Sequence, residues 1–482
     1  MQKKNLLLTL GLMLAMGASA QTSPWTGSAV GEGEFYLYNV ESGLWLQNND
    51  SKAYDWSTRA AIGTRGFDWT IEAADGAYAL KPNFYINGTG NMTYSINPDN
   101  NYIDTGDGKA WVVEAVEKDG VSNAYKIYCG NKVLGTVRYN EAGRQDNLFT
   151  QEGDDRWYLE NPDFNVDMNE RNTWQFVTKE ERLAKMQEEA SETNPVDASW
   201  LIPAADFANN DKRYELWTRS INGGNGRTGD GNGINGSQCV ESWNSGSIDF
   251  SITLDVPNGT YLFTVQGYYR DGNRSDVVER RAEGTETIRS YYFANEVEAP
   301  LMSILDDAKT EEGTSGFDYS GGGFYFADSQ NSANKCFNLH KGYVNKEIEV
   351  VVTTGQLKIG IKKDSKSNED WTVFDNFHLT YLGNHVDLTD IVNALQGTIN
   401  QAEAWDASNT SDVLKQNLAD AISDAKSKLT STNADELTAA NVALNNALEA
   451  AKAVDVSVLR QTVAVTEAGI DLTAANNAIA NA

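Results

Sequence analysis

The chain has 482 residues and a formal net charge of −29, a length that suits about three domains. Such acidity argues against nucleic acid or an anionic membrane as partner, since both are held through basic patches. Three cysteines, Cys129, Cys239 and Cys336, are too few for a disulfide scaffold.

Residues 1–20 read as a secretory signal peptide. Lys3 and Lys4 form a basic tip, Leu6 to Met16 an apolar run, and Ala18-Ser19-Ala20 a small-residue cleavage site. No Cys follows the cut, which argues against a lipid anchor, and no later run is apolar enough to span a bilayer. The expectation is an exported chain, secreted or held at the cell surface, with no transmembrane segment.

Residues 30–178 echo themselves three times. Phe35 to Asn39 leads to Trp69 and Ile71, Ala77 to Lys81 leads to Trp111 and Val113, and Ala124 to Tyr128 leads to Trp174 and Phe176. A copy of forty-odd residues is too small to bury its own apolar face, so three of them must share a core, with the closing tryptophans inside it. At these residues the stretch resembles the ricin-type β-trefoil, as found in modular exported proteins of Gram-negative gut bacteria. The usual Gln-x-Trp of that family is replaced by Phe67-Asp68-Trp69, Lys109-Ala110-Trp111 and Asn172-Thr173-Trp174, so no sugar-binding residue is carried over. A charged helix at Lys179 to Ala190, with Leu183, Met186 and Ala190 on one side, makes residues 179–192 a helical linker that ends before Pro195.

Residues 193–384 read as β throughout, with Gly, Asn and Asp turns between alternating strands, which implies two packed antiparallel sheets. Ile348, Val350 and Val352, then Leu357, Ile359 and Ile361, flank a Thr354-Gly355 turn. The strand after Pro257-Asn258-Gly259 places Tyr261, Phe263, Val265 and Tyr269 on an inner face. Its other face carries Gln266, Tyr268 and Arg270, either ordinary solvent-side residues or a stripe that grips a polar ligand with faces to stack on.

Three stretches resemble a galactose-binding-like jelly roll of the carbohydrate-binding-module type: Glu241 to Asn244, Pro257 to Arg270, and Trp371 to Gly383. The resemblance implies a glycan or polysaccharide bound at the loops of one end of the sandwich or on its concave face, often beside a structural calcium. Sugar recognition asks for aromatic faces and planar polar groups. Trp217, Trp243, Asn244, Gln266, Tyr268 and Arg270 are those types close together in sequence, while Trp243 and Trp371 fit the core equally well. The Gly-rich loop from Ile221 to Gly236 is either a binding lip or an insertion. Asp230, Asn232 and Glu241 match positions one, three and twelve of a calcium loop, but Ile234 and Asn235 break the pattern at five and six. No other cofactor is implied. Cys239 and Cys336 lie in this domain and either pair or remain buried thiols. Asp375, beside Asn376, suits a turn-stabilising hydrogen bond.

Residues 386–453 are Ala-rich and read as three amphipathic helices, seamed by Leu395, Ile399 and Ala402, by Leu418 and Ala425, and by Leu437, Leu444 and Leu448. Short capped loops make them a three-helix bundle. Residues 454–482 restart the pattern, with Leu459 and Val463 matching Ile391 and Leu395. The bundle resembles the helical spacer repeats between modules of surface glycosidases and adhesins, and the interrupted second copy either begins a longer protein or caps the first bundle.

His340, His378 and His385 make no metal spacing, and Cys336-x3-His340 has no orienting partner. The chain reads as multidomain, mainly β with an α tail: a β-trefoil-like domain, a β-sandwich jelly roll and a three-helix bundle. The expected function is non-catalytic carbohydrate binding. The alternatives are the accessory region of a larger exported glycosidase or peptidase, and a protein-binding surface scaffold.

Overall fold

The computed structural model describes residues 23–48, 60–74, 76–82, 93–96, 103–106, 111–129, 132–138, 157–160, 171–207, 212–222, 226–228, 239–314, 316–338, 341–384, 388–454, 456–457 and 473–482. The signal-peptide stretch, Asp230 and Asn232 of the calcium-type loop, His340, His385, Leu459 and Val463 lie outside the described residues. The chain forms two compact units that divide after Glu181.

The first unit contains β1 (Gly33–Asn39), β2 (Leu44–Asn48), β3 (Ala60–Gly63), β4 (Asp68–Ala74), β5 (Ala77–Pro82), β6 (Thr93–Ile96), β7 (Ile103–Gly106), β8 (Val112–Lys118), β9 (Val121–Cys129), β10 (Lys132–Val133), β11 (Gly135–Arg138), β12 (Trp157–Glu160) and β13 (Trp174–Val177). The opening and closing strands of the three echoes alternate around a closed ring. Phe35 of β1 lies opposite Trp69 of β4, and Ile71 of β4 opposite Leu80 of β5. Tyr78 and Trp111 exchange two backbone hydrogen bonds of 2.8 and 2.6 Å, and Val113 of β8 faces Ile127 of β9. Tyr125 of β9 then pairs with Trp174 of β13, and Phe176 returns to Leu37 of β1. Closure removes the sheet edges that each copy would otherwise expose. Trp69, Trp111 and Trp174 are each 0% exposed, as the shared-core expectation requires.

The division falls within α1 (Lys179–Glu189). The second unit holds β14 (Val196–Asp197), β15 (Thr218–Asn222), β16 (Gly226–Thr228), β17 (Cys239–Trp243), β18 (Ser247–Asp255), β19 (Gly259–Arg270), α2 (Arg274–Glu283), β20 (Ser290–Ala294), β21 (Val297–Pro300), β22 (Met302–Ser303), β23 (Tyr319–Gly321), β24 (Phe324–Phe326), α3 (Gln330–Asn338), β25 (Ile348–Val352), β26 (Gln356–Lys363) and β27 (Trp371–Tyr381). One sheet runs β16-β17-β27-β19-β22, with β14 on β27 and β25 on β19, and the other runs β15-β18-β26-β20-β21. The alternating residues of β25 and β26 are all buried, and their turn carries the chain from one sheet to the other. Between the sheets, Phe207, Trp217, Phe250, Phe374 and Phe377 pack ring on ring, Trp217 stacking on Phe250 at 5.0 Å.

Two expectations for this domain need correction. The chain between β19 and β25 is not β throughout, because it includes α2 and α3. Asn273 starts α2 with a capping box: its side chain accepts from the N–H groups of Ser275 and Asp276 at 2.9 and 3.0 Å, and Asp276 accepts from Asn273 N–H. Gly284 closes the helix at φ 70°, a left-handed geometry that costs glycine little. Both helices are too short to show a long apolar period.

The second correction concerns the stripe of β19. Tyr261, Phe263, Val265 and Tyr269 are buried as expected, but Gln266, Tyr268 and Arg270 are buried too. An excursion of the chain that includes β23, β24 and α3 covers that face. Tyr268 packs there with Phe326, Phe337 and Tyr343, and its hydroxyl donates to Ala327 O at 2.6 Å. Gln266 donates its amide to Phe337 O and Gly342 O at 3.1 and 2.7 Å. Polar groups at these positions survive burial because each finds a partner.

The tail forms α4 (Thr389–Ala404), α5 (Asp412–Lys428) and α6 (Ala434–Ala453), followed by α7 (Thr473–Asn481). Leu395, Ile399, Leu418, Leu437, Leu444 and Leu448 meet in one core, as their helical spacing predicts. Ser411 caps α5 and Asn433 caps α6 through their side chains.

Candidate functional site

The last residues of β17 and β19 and the first of β27 form a transverse row at one end of the sheet. Trp243 lies opposite Trp371, and Trp371 opposite Arg270. Paired residues project to the same side of a sheet, so all three stand on the face covered lower down by α3.

Trp371 is the base of this row. Its ring is buried, its Nε1 donates to Glu241 Oε2 at 2.8 Å, and the Arg270 guanidinium sits 5.4 Å from its centroid. Glu241, two residues before Trp243, also accepts from the Gln330 amide. Trp243 is 45% exposed, a large apolar surface left open on a braced floor. Asn244 follows at φ 51°, a left-handed turn that asparagine tolerates. Asn244 N–H donates to Asp370 O at 2.7 Å, and Asn244 Oδ1 accepts from Glu369 N–H and Lys366 Nζ, both at 3.3 Å. These bonds tie the loop before β27 to the end of β17.

Arg270 is held at every nitrogen. Nε donates to Gly272 O and Nη2 to Glu369 O, both at 2.9 Å, and Nη1 pairs with Asp328. Asp328, whose side chain is 2% exposed, accepts a second cation, Arg274 Nε, at 2.6 Å. The Arg274 guanidinium lies 3.8 Å from the centroid of the Tyr319 ring.

Of the residues singled out in sequence, Trp243, Asn244 and Arg270 come together here. Gln266 and Tyr268 share the face but lie under the cover, and Trp217 belongs to the inter-sheet core, where Nε1 donates to Pro203 O at 2.9 Å. Arg274, Tyr319, Asp328 and Lys366 were missed. The Asn273-Arg274-Ser275-Asp276 capping box was the one sequence signal that the chain turns back as a helix after β19. Asp375 does make a local bond, accepting from Asn376 N–H at 2.8 Å where β27 is irregular and Asn376 has φ 48°.

Cys239 and Cys336 are free thiols in one buried cluster. Burial pushes both thiols up from their ordinary range, the reverse of what a thiolate nucleophile needs. Among the described residues no group of His, Cys, Asp and Glu is arranged to hold a metal ion, and Glu241 is engaged by Trp371 and Gln330. No helix among the described residues is long and apolar enough to cross a membrane.

A separate cleft of about 300 Å³ lies between the sandwich and the bundle, lined by Glu296, Glu349, Asp390, Asp435, Ile391 and Thr438 among others. Asp435 accepts from the Asn295 amide at 2.9 Å, and burial raises its carboxyl above the usual range. The cleft has no aromatic ring in its lining.

No family model matches the chain, and no curated protein matches it. Solved structures similar to it include two that contain carbohydrate-binding modules. TmCBM61 in complex with β-1,4-galactotriose is 14% identical over 38% of this chain and 97% of that one, with a TM-score of 0.21. The CBM51-2 and INT domains of Clostridium perfringens ZmpB, in complex with GlcNAc, are 11% identical over 75% of this chain and 57% of that one, with a TM-score of 0.17. A salivary protein of Culex quiquefasciatus from the Cysteine and Tryptophan-Rich family is 17% identical over 32% of this chain and 99% of that one, with a TM-score of 0.22.

Proposed function

We propose that this is an exported, non-catalytic carbohydrate-binding protein that meets glycan at the Trp243 end of its sandwich. The observation that carries the reading is the 45% exposure of Trp243 on a floor of buried, fully bonded groups. The apolar face of a pyranose stacks on such a ring, and polar groups around it serve the hydroxyls. Asn244 and Lys366 are at the rim, while Arg270 is a positioning residue beneath it. Residues 193–384 act as the jelly-roll module, 386–453 as a spacer and 454–482 as the start of a second one. The threefold ring of the first unit is read as trefoil-like. A single shallow sugar site contributes about −4 to −7 kcal/mol, so a second module on the chain would act through effective concentration.

The test is a broad glycan array with the full chain, followed by Trp243→Ala. Binding should fall about tenfold or more, with an unfolding midpoint close to that of the parent because the side chain is largely outside the core. Folded protein that binds no glycan on the array overturns the proposal.

A further inference from the structure

We infer that the glycan taken at this end of the sandwich carries an anionic substituent, a carboxylate or a sulfate ester, and that Arg274 recognises it. The inference rests on the reading of Trp243 as the sugar platform and names the class of sugar that the platform serves.

Arg274 is an exposed arginine held as if it were buried. Its side chain is 47% exposed. A solvent-facing arginine ordinarily samples many rotamers. Here Nε is fixed on Asp328 and the guanidinium plane rests against Tyr319. Its stem leaves from the first position of α2, directly after the Asn273 cap.

All of that fixing uses Nε and the ring face. Nη1 and Nη2 form no hydrogen bond with the described residues, so four N–H donors remain on a preorganised plane, two of them side by side on its Nη1–Nη2 edge. That edge matches the paired oxygens of a carboxylate or a sulfate.

The charge is also left over. Asp328 is the one carboxylate shared by Arg270 and Arg274, so two cations meet one anion and the buried Arg270 takes its full share. Arg274 sits next to the Trp243 row because Arg270 joins them: it pairs with Trp371 beside Trp243 and shares Asp328 with Arg274. Lys366, bonded among the described residues to Asn244 next to Trp243, adds a second exposed cation. On a chain of net charge −29 the long-range field repels anions, and salt screens it beyond about 8 Å. Selection of an acidic sugar therefore has to come from close contact at a fixed cation.

The experiment measures affinity of the full chain for polysaccharide pairs that differ only in charge. One arm uses polygalacturonate and its methyl ester, and the other a sulfated galactan and its desulfated form. The charged member of at least one pair should bind about tenfold or more tightly, as one charge-assisted bidentate contact implies. That advantage should shrink between about 20 mM and about 500 mM salt. Arg274→Ala should remove the advantage and leave binding of the neutral member in place, Arg274→Lys should restore only part of it, and Trp243→Ala should weaken both members. Equal affinity within both pairs, or an Arg274→Ala protein that keeps the preference, overturns the inference while Trp243-dependent binding of neutral sugar upholds the platform. Charged-sugar binding that needs Arg274 but ignores Trp243 overturns the platform instead. Folded protein that binds no member of either pair overturns the inference, and the platform falls with it when the glycan array is empty as well.

Discussion

The two faces of β19 carry side chains of one strand under different covers. On one face Tyr261, Phe263, Val265 and Tyr269 meet the second sheet, a regular partner whose own alternating residues fill the gap. On the other, Thr264, Gln266, Tyr268 and Arg270 meet an irregular excursion of helices and a hairpin, and each polar tip ends on a backbone carbonyl or a carboxylate of that excursion. The first cover is apolar and non-directional. The second is built of directed bonds, and at its end, where β17 and β19 finish and β27 begins, it opens to leave Trp243 and Arg274 at the surface.

Three measurements sharpen this contrast. Phe263→Ala removes a fully buried ring from between the sheets and should cost about 3–5 kcal/mol in denaturant unfolding. A loss below about 1 kcal/mol would mean that the inter-sheet core does not depend on this face. Asp328→Ala should cost about 3 kcal/mol, because it strips the buried Arg270 of its counter-charge. If unfolding is unchanged in Asp328→Ala, the cover is not held by that ion pair.

The third measurement follows unfolding from about pH 8 to about pH 11. Burial raises the thiols of Cys239 and Cys336 and the phenols of Tyr261, Tyr268, Tyr269 and Tyr343, which lie on or near both faces. The folded state keeps these protons after the unfolded chain has begun to lose them near 9.0 for thiols and 10.0 for phenols. The unfolded state then binds fewer protons, so stability is fully present below about pH 9 and falls as pH rises. The slope should reach about 1.4 kcal/mol per pH unit for each such group. A flat profile would mean that these groups are as solvated in the folded state as in the unfolded one.

Much of the architecture was legible from period alone. The alternation of β25 and β26 marked their buried residues, the three recurring tryptophans marked a shared core, and the spacing of Leu395, Ile399, Leu418, Leu437 and Leu444 marked the bundle. The platform was legible only in part. Trp243 and Asn244 were singled out as residue types that suit sugar, yet Trp217, Gln266 and Tyr268 looked equally suitable. Nothing in the strand pattern separates an aromatic that stacks on Phe250 from one that faces water. Arg274 escaped because its value lies in two residues far along the chain, Tyr319 and Asp328.

The sequence by itself determined which residues share a face, where helices and turns start, and that the chain is acidic. These follow from local geometry: a period of two for strands, a longer one for helices, and side chains that cap or bend the backbone next to them. Only the tertiary structure decided what covers the Gln266, Tyr268 and Arg270 face, that Arg270 and Arg274 converge on Asp328, and that Trp243 stays open. Those outcomes depend on contacts between residues 50 to more than 100 positions apart, and burial is a property of the neighbour that arrives, not of the side chain that waits for it.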